Sequence, residues 1–235
     1  MKGTALLDAH FAKWRQQTRT AIKTFHADGI VHEPTYANAQ VKLCFLMKEP
    51  NNPAKDDFGA KFDFREWWRD EPIKGAFTAR IAEWSYGLLN GFPPYDELWN
   101  VDEGPAIQEV RKAVALVNVK KSGGGGSSEF KQFMRSLGAS EKQQAILAEL
   151  VREELRIIAP DVVIMGLTWS KLRDLLFPDV KWRPSGYDVE VGEWEGRTLI
   201  DFYHPSSRNA PAAAYCLLEK VMESEVYRKM AAKKN

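Results

Sequence analysis

The chain has only two cysteines in 235 residues, Cys44 and Cys216. A structural zinc or iron–sulfur centre built on four thiolates is therefore excluded, and the two thiols read as small buried side chains. No apolar stretch approaches the ~18 residues that a membrane-spanning helix needs. The first residues carry no secretory hydrophobic segment, so a reducing cytoplasm is the expected setting and no membrane partner is expected. An excess of one charge is also missing: 33 Lys and Arg stand against 32 Asp and Glu, a net charge of +1. Binding a polyanion by bulk charge is thereby excluded, and any such contact has to come from a local basic patch. There is no internal repeat. With 44% hydrophobic residues the length suits one domain over 1–235.

Four short apolar runs stand out, at 41–47, 114–119, 161–166 and 198–203. Each is short and bounded by polar, Pro or Gly residues, as strands buried on both faces are. Between them lie helical patterns over 4–27, 76–89, 104–112, 128–137, 141–158, 168–176 and 210–231. Ser140 followed by Gln143 forms a capping-box signature at the start of 141–158. Residues 51–74 have no period, and 187–194 reads as an edge hairpin. Alternation of strand and helix predicts an α/β fold: a three-layer α/β/α sandwich on a central, mostly parallel four-stranded sheet. In such sheets ligands bind beyond the carboxyl ends of the strands. Three strands end in chemistry-bearing residues: Glu49-Pro50-Asn51 after the first, Asn118 and the Lys120-to-Gly126 run at the second, and His204-Pro205-Ser206 after the fourth. These clusters are expected to meet in one crevice.

In that arrangement Met47-Lys48-Glu49-Pro50-Asn51 resembles the first motif of the uracil-DNA glycosylase superfamily, and His204-Pro205-Ser206-Ser207-Arg208-Asn209 resembles its second. The Arg-Asn ending is similar to that of the single-strand-selective monofunctional branch. Val117-Asn118 resembles the strand asparagine that reads the base, and Ile158 to Gly166 resembles the family's helix–Pro–strand–Gly step. The likeness covers roughly residues 41–230. It implies a cofactor-free, metal-free monomer that acts on single-stranded DNA or a locally opened duplex and hydrolyses the N-glycosidic bond of a flipped-out base. In this chain Glu49 stands where relatives carry Asp or Asn. Asn51 stands where the uracil-specific enzymes carry a tyrosine, which leaves room for a 5-substituted pyrimidine or a bulkier modified base.

On this resemblance Glu49 and His204 are the catalytic candidates. The carboxylate stabilises the cation-like sugar and orients water; the imidazole N–H stabilises the departing base anion as an oxyanion hole does. Asn118 reads the base edge through its amide, with Phe62, Phe64 and Asn51 also against the base. Ser206, Ser207 and Arg208 with Lys120, Lys121 and Ser122 are expected on the DNA backbone. Trp67 and Trp68 read as packing residues. The glycines from 123 serve either as a phosphate-gripping loop or as an inert connection. Two other readings stay open: a catalytically inactive nucleic-acid-binding module, and a hydrolase of free nucleosides or nucleotides.

Overall fold

The computed structural model describes residues 3–18, 25–50, 63–70, 73–99, 104–124 and 129–232. Their order is α1 (Gly3–Thr18), β1 (Gly29–Ile30), α2 (Glu33–Asn38), β2 (Leu43–Met47), α3 (Phe64–Asp70), α4 (Gly75–Asn90), α5 (Gly104–Val110), β3 (Val114–Asn118), α6 (Phe130–Leu137), α7 (Glu141–Ile158), β4 (Val162–Gly166), α8 (Ser170–Leu176), β5 (Arg183–Pro184), β6 (Glu190–Trp194), β7 (Arg197–Asp201), α9 (Pro211–Glu223) and α10 (Glu225–Ala232). No helix among the described residues is long and apolar enough to cross a membrane.

The strands form one mixed sheet in the order β1-β3-β2-β4-β7-β6-β5. Its centre, β3-β2-β4-β7, is parallel throughout. These are the four strands legible as apolar runs. The expectation of a four-stranded sheet is corrected to seven, because three antiparallel strands extend the centre at its edges. Two of the additions, β1 and β5, have only two residues each, too few for any period to show. The third, β6, returns to β7 through Glu195 and Gly196, both with positive φ, as a tight hairpin turn requires.

Alternation along each central strand sorts its side chains into two cores. Cys44, Leu46, Ala115, Val117, Val163 and Met165 pack with residues of α1, α6, α7 and α8. Leu43, Phe45, Val114, Leu116, Ile164 and Ile200 pack with residues of α3, α4, α9 and α10. Helices thus cover both faces, which is why β2, β3 and β4 are buried at every position.

Two helix expectations are corrected. The helix expected over 4–27 ends at Thr18 within the described residues, and 25–28 is not helical: Ala27 pairs with Asp63 and Phe64 N–H donates to the Ala27 carbonyl. The helix expected over 210–231 is two, because Ser224 takes an extended ψ of 147° and caps α10 through its Oγ, which accepts from Tyr227 N–H at 3.3 Å. At α7 Ser140 Oγ accepts from Gln143 N–H, while the Gln143 side chain reaches Ala139 N–H.

Ile164 is fully buried on the central strand β4. Ile164→Ala is expected to lower unfolding free energy by about 2–5 kcal/mol in urea denaturation, since it leaves a cavity in a close-packed layer.

Candidate functional site

Parallel register brings the motifs to one edge. Met47 pairs with Asn118 on one side and Gly166 on the other, and Met165 with Asp201. The pairing continues past the strands: Val119 and Lys120 N–H groups donate to the Met47 and Lys48 carbonyls, and Phe202 N–H to that of Met165. The exits of β3, β2, β4 and β7 therefore stand side by side, carrying Asn118 and Lys120, Glu49, Gly166, and His204 in that order. At the β4 exit Thr168 holds a φ of 71°, a conformation that strains a β-branched residue.

The His204 loop is built from a distance. Arg80 on α4 is buried, and its guanidinium donates to the carbonyls of Pro205 (3.3 Å), Ser207 (3.0 Å) and Asn209 (2.5 Å). Gly166 lets the loop approach β4, since a Cβ there would lie 2.8 Å from Met47 Sδ and 3.1 Å from His204 Cα. His204 Nδ1 accepts the Ser206 backbone N–H at 3.1 Å, so in the neutral ring the proton sits on Nε2. Burial, and then the Lys48 ammonium, lower the His204 pKa to about 4. The ring packs beside Phe77 and is a neutral N–H donor at physiological pH. Ser207 is half-buried, while Ser206 and Arg208 are exposed.

Glu49 is the opposite case. Its side chain is buried, and Lys120 Nζ donates to its Oε2 at 2.7 Å and to the Gly123 carbonyl at 3.4 Å. Gly124 N–H donates to the Pro50 carbonyl, and a Cβ at Gly124 would overlap the Glu49 carboxylate. The start of the glycine run thus lies against this carboxylate, a closeness only glycine permits. Next to it Lys48 Nζ sits 4.4 Å from the centre of the Trp169 ring, and burial lowers its pKa against the pull of Glu49.

Asn118 is buried and held by Asp28, whose Oδ2 accepts both its backbone N–H (2.7 Å) and its Nδ2 (3.0 Å). Asp28 Oδ1 lies 2.5 Å from Lys121 Nζ, which lies 2.7 Å from Glu154 Oε2 on α7. All three side chains are sealed from solvent. Burial raises the Glu154 pKa well above the carboxylate range, against the lowering effect of Lys121. Lys121 thus stands between two carboxyl groups that have no access to solvent.

That burial corrects the expectation for Lys121: an ammonium 1% exposed between two carboxyl groups cannot grip a phosphate. Ser122, half-buried, instead borders a cavity of about 420 Å³ between α1, α6 and α7. Phe64 stands beside the Asn118 anchor through its bond to Ala27, but the ring is buried and stacked on half-buried Trp67, so its place is in the packing. Trp68 is core, with its indole N–H on the Arg111 carbonyl. Asn51 and Phe62 lie outside the described residues. Among the described residues no cluster of three or more His, Cys, Asp or Glu side chains is placed to hold a metal ion. Asp28, Arg80 and Glu154 are the residues that sequence reasoning missed.

No protein-family model matches the chain, and no curated protein matches it.

Two outcomes test this geometry. The His204 ring is expected to titrate near pH 4 by NMR. Its folded pKa lies below the unfolded value of about 6.5, so the stability it contributes is present above pH 6.5 and lost as pH falls toward 4; a midpoint near 6.5 contradicts the desolvated placement. Lys121→Met is expected to cost about 3–5 kcal/mol in chemical denaturation, because it removes the one cation between two buried carboxyl groups.

Proposed function

We propose that the protein is a monofunctional DNA glycosylase of the uracil-DNA glycosylase type, hydrolysing the N-glycosidic bond of a flipped-out uracil or 5-substituted pyrimidine. The observation that carries this reading is the neutral His204 with its proton on Nε2, at the same sheet edge as Glu49 and Asn118. A departing pyrimidine anion accumulates negative charge on its carbonyl oxygen. A fixed neutral donor meets that charge without having to shed water first. Glu49 supplies the opposite charge for the sugar, and water is the nucleophile. Lys120 pairs with Glu49 in the free protein; a DNA phosphate competing for this ammonium releases the carboxylate toward the sugar. The exposed Arg208 and Ser206 belong on the DNA backbone, and the substrate is a single strand or an opened duplex.

A second reading is a catalytically inactive nucleic-acid-binding module, and the covered, ion-paired state of Glu49 favours it.

Oligonucleotides carrying uracil, 5-hydroxymethyluracil, hypoxanthine or glucosylated cytosine, single- and double-stranded, separate the two. Glycosylase action predicts release of the free base, reduced at least about 10²-fold by His204→Ala and also reduced by Glu49→Gln. Binding without release from any substrate supports the module.

A further inference from the structure

Lys48 stands at the strand exits, yet the proposed chemistry leaves it unused. It follows β2 directly, between Met47 and Glu49, and it is half-buried. Its Nζ rests 4.4 Å from the centre of the Trp169 ring. That ring is itself held in place. Thr168 turns the chain at the β4 exit with its φ of 71°, and Phe130 and Phe133 of α6 pack on Trp169 at centroid distances of 5.5 and 5.4 Å. The carboxylate next to Lys48 is already committed, because Glu49 is paired with Lys120 at 2.7 Å. The neighbouring lysines Lys120 and Lys121 each lie on a carboxylate. Among the described residues the Lys48 ammonium instead has an aromatic face against it and no hydrogen-bonded counter-ion. Burial lowers its pKa against the pull of Glu49, and its charge in turn helps to lower that of His204. Desolvation favours the neutral amine, which is the nucleophilic form of a lysine.

We propose that Lys48 is a covalent carbonyl-binding site, whose amine captures as an imine the ring-opened abasic sugar that base release leaves behind. This goes beyond the glycosylase reading and rests on it for the source of the aldehyde. Loss of the base leaves a hemiacetal at C1′, which opens to an aldehyde. The Nζ lone pair forms a bond to C1′ while the carbonyl π pair moves onto oxygen. The two amine hydrogens then leave with that oxygen as water, and a C=N bond replaces the C=O bond. No oxidant or reductant takes part. Hydrolysis reverses the step and returns both partners unchanged, so the bond holds the product and base release stays with water. C1′ is the atom that carried the base. In the proposed complex it lies between His204, on the base, and Glu49, on the sugar. Lys48 adjoins Glu49 in sequence and acts on His204 through its charge, so its amine belongs to the same place.

The test uses a single-stranded oligonucleotide with one abasic site prepared beforehand, so it does not depend on base release by this protein. Sodium borohydride added to the mixture reduces an imine to a stable secondary amine. The expected result is a protein–DNA adduct that peptide mass spectrometry maps to Lys48. The adduct is expected to be lost in Lys48→Arg, which keeps a cation but has no nucleophilic amine, with folding checked by thermal melting. Absence of an adduct from the wild-type chain overturns the proposal. So does an adduct on another amine, or one that persists in the folded variant. Should the variant not fold, the mapped position on the wild-type chain decides. A tetrahydrofuran analogue of the abasic site has no aldehyde, and an adduct with it also overturns the proposal. Uracil release, measured in parallel, separates the two readings. Release without an adduct overturns the capture and leaves the glycosylase reading standing. A Lys48 adduct without release upholds the capture and overturns the glycosylase reading.

Discussion

The ammonium of Lys121, enclosed between Asp28 and Glu154, is the constraint that most of the site depends on. A buried cation without its counter-charges is far too costly to persist, so the segments supplying them are held together. Residues 25–30 are drawn under the exit of β3, with His26 N–H on the Lys121 carbonyl. The α7 helix is held against the same point through Glu154. Asn118 is then gripped by the carboxylate that serves Lys121. Two consecutive lysines meet opposite fates: Lys121 turns into the triad, while Lys120 reaches Glu49 across the sheet edge. One buried charge thus sets the direction of both candidate recognition groups.

The other side of the crevice is held by a second buried cation, Arg80, which has no carboxylate in the His204 loop. It spends its donors on three carbonyls of that loop, whose backbone would otherwise lack helix or strand partners. Arg suits this role because its planar fork reaches several acceptors at once. The loop is held from α4 in one layer, and Asn118 from α7 in the other. The sheet between them fixes the separation of the strand exits. His204 is neutral for the same reason that the loop is ordered, since both follow from packing into this junction beside Lys48 and Phe77.

What was legible in the sequence is what local pattern encodes. The four central strands are continuous apolar runs because helices cover both faces, and the parallel order of a β–α alternation brings their ends together. That was enough to expect Glu49, Asn118 and His204 at one edge. Lys121 was misread because a lysine before a glycine run looks solvated, and its partner Asp28 lies 93 residues away. Glu154 did leave a trace. It falls on the apolar stripe of α7 with Leu147, Leu150, Val151, Leu155 and Ile158, and a charge at such a position signals a buried partner. Arg80 left a similar trace on α4, between Thr78 and Ile81. The break at Ser224 was hidden because a serine inside a helical pattern does not announce that it caps a second helix.

The electrostatics also explain how a chain with a net charge of +1 can be proposed to bind DNA. Lys121 and Arg80 are charges turned inward, so they contribute little to the field a phosphate meets. Among the described residues, the cations near the strand exits include Lys48, Lys120 and Arg208, each differently engaged: Lys48 on the Trp169 ring, Lys120 on Glu49, and Arg208 exposed. On the proposed reading, a phosphate chain would meet Arg208 on the His204 loop first and then compete for the ammonium on Glu49, so that a group covered in the free protein would be exposed by the ligand it acts upon. A surface that bound DNA by uniform charge would have no such dependence.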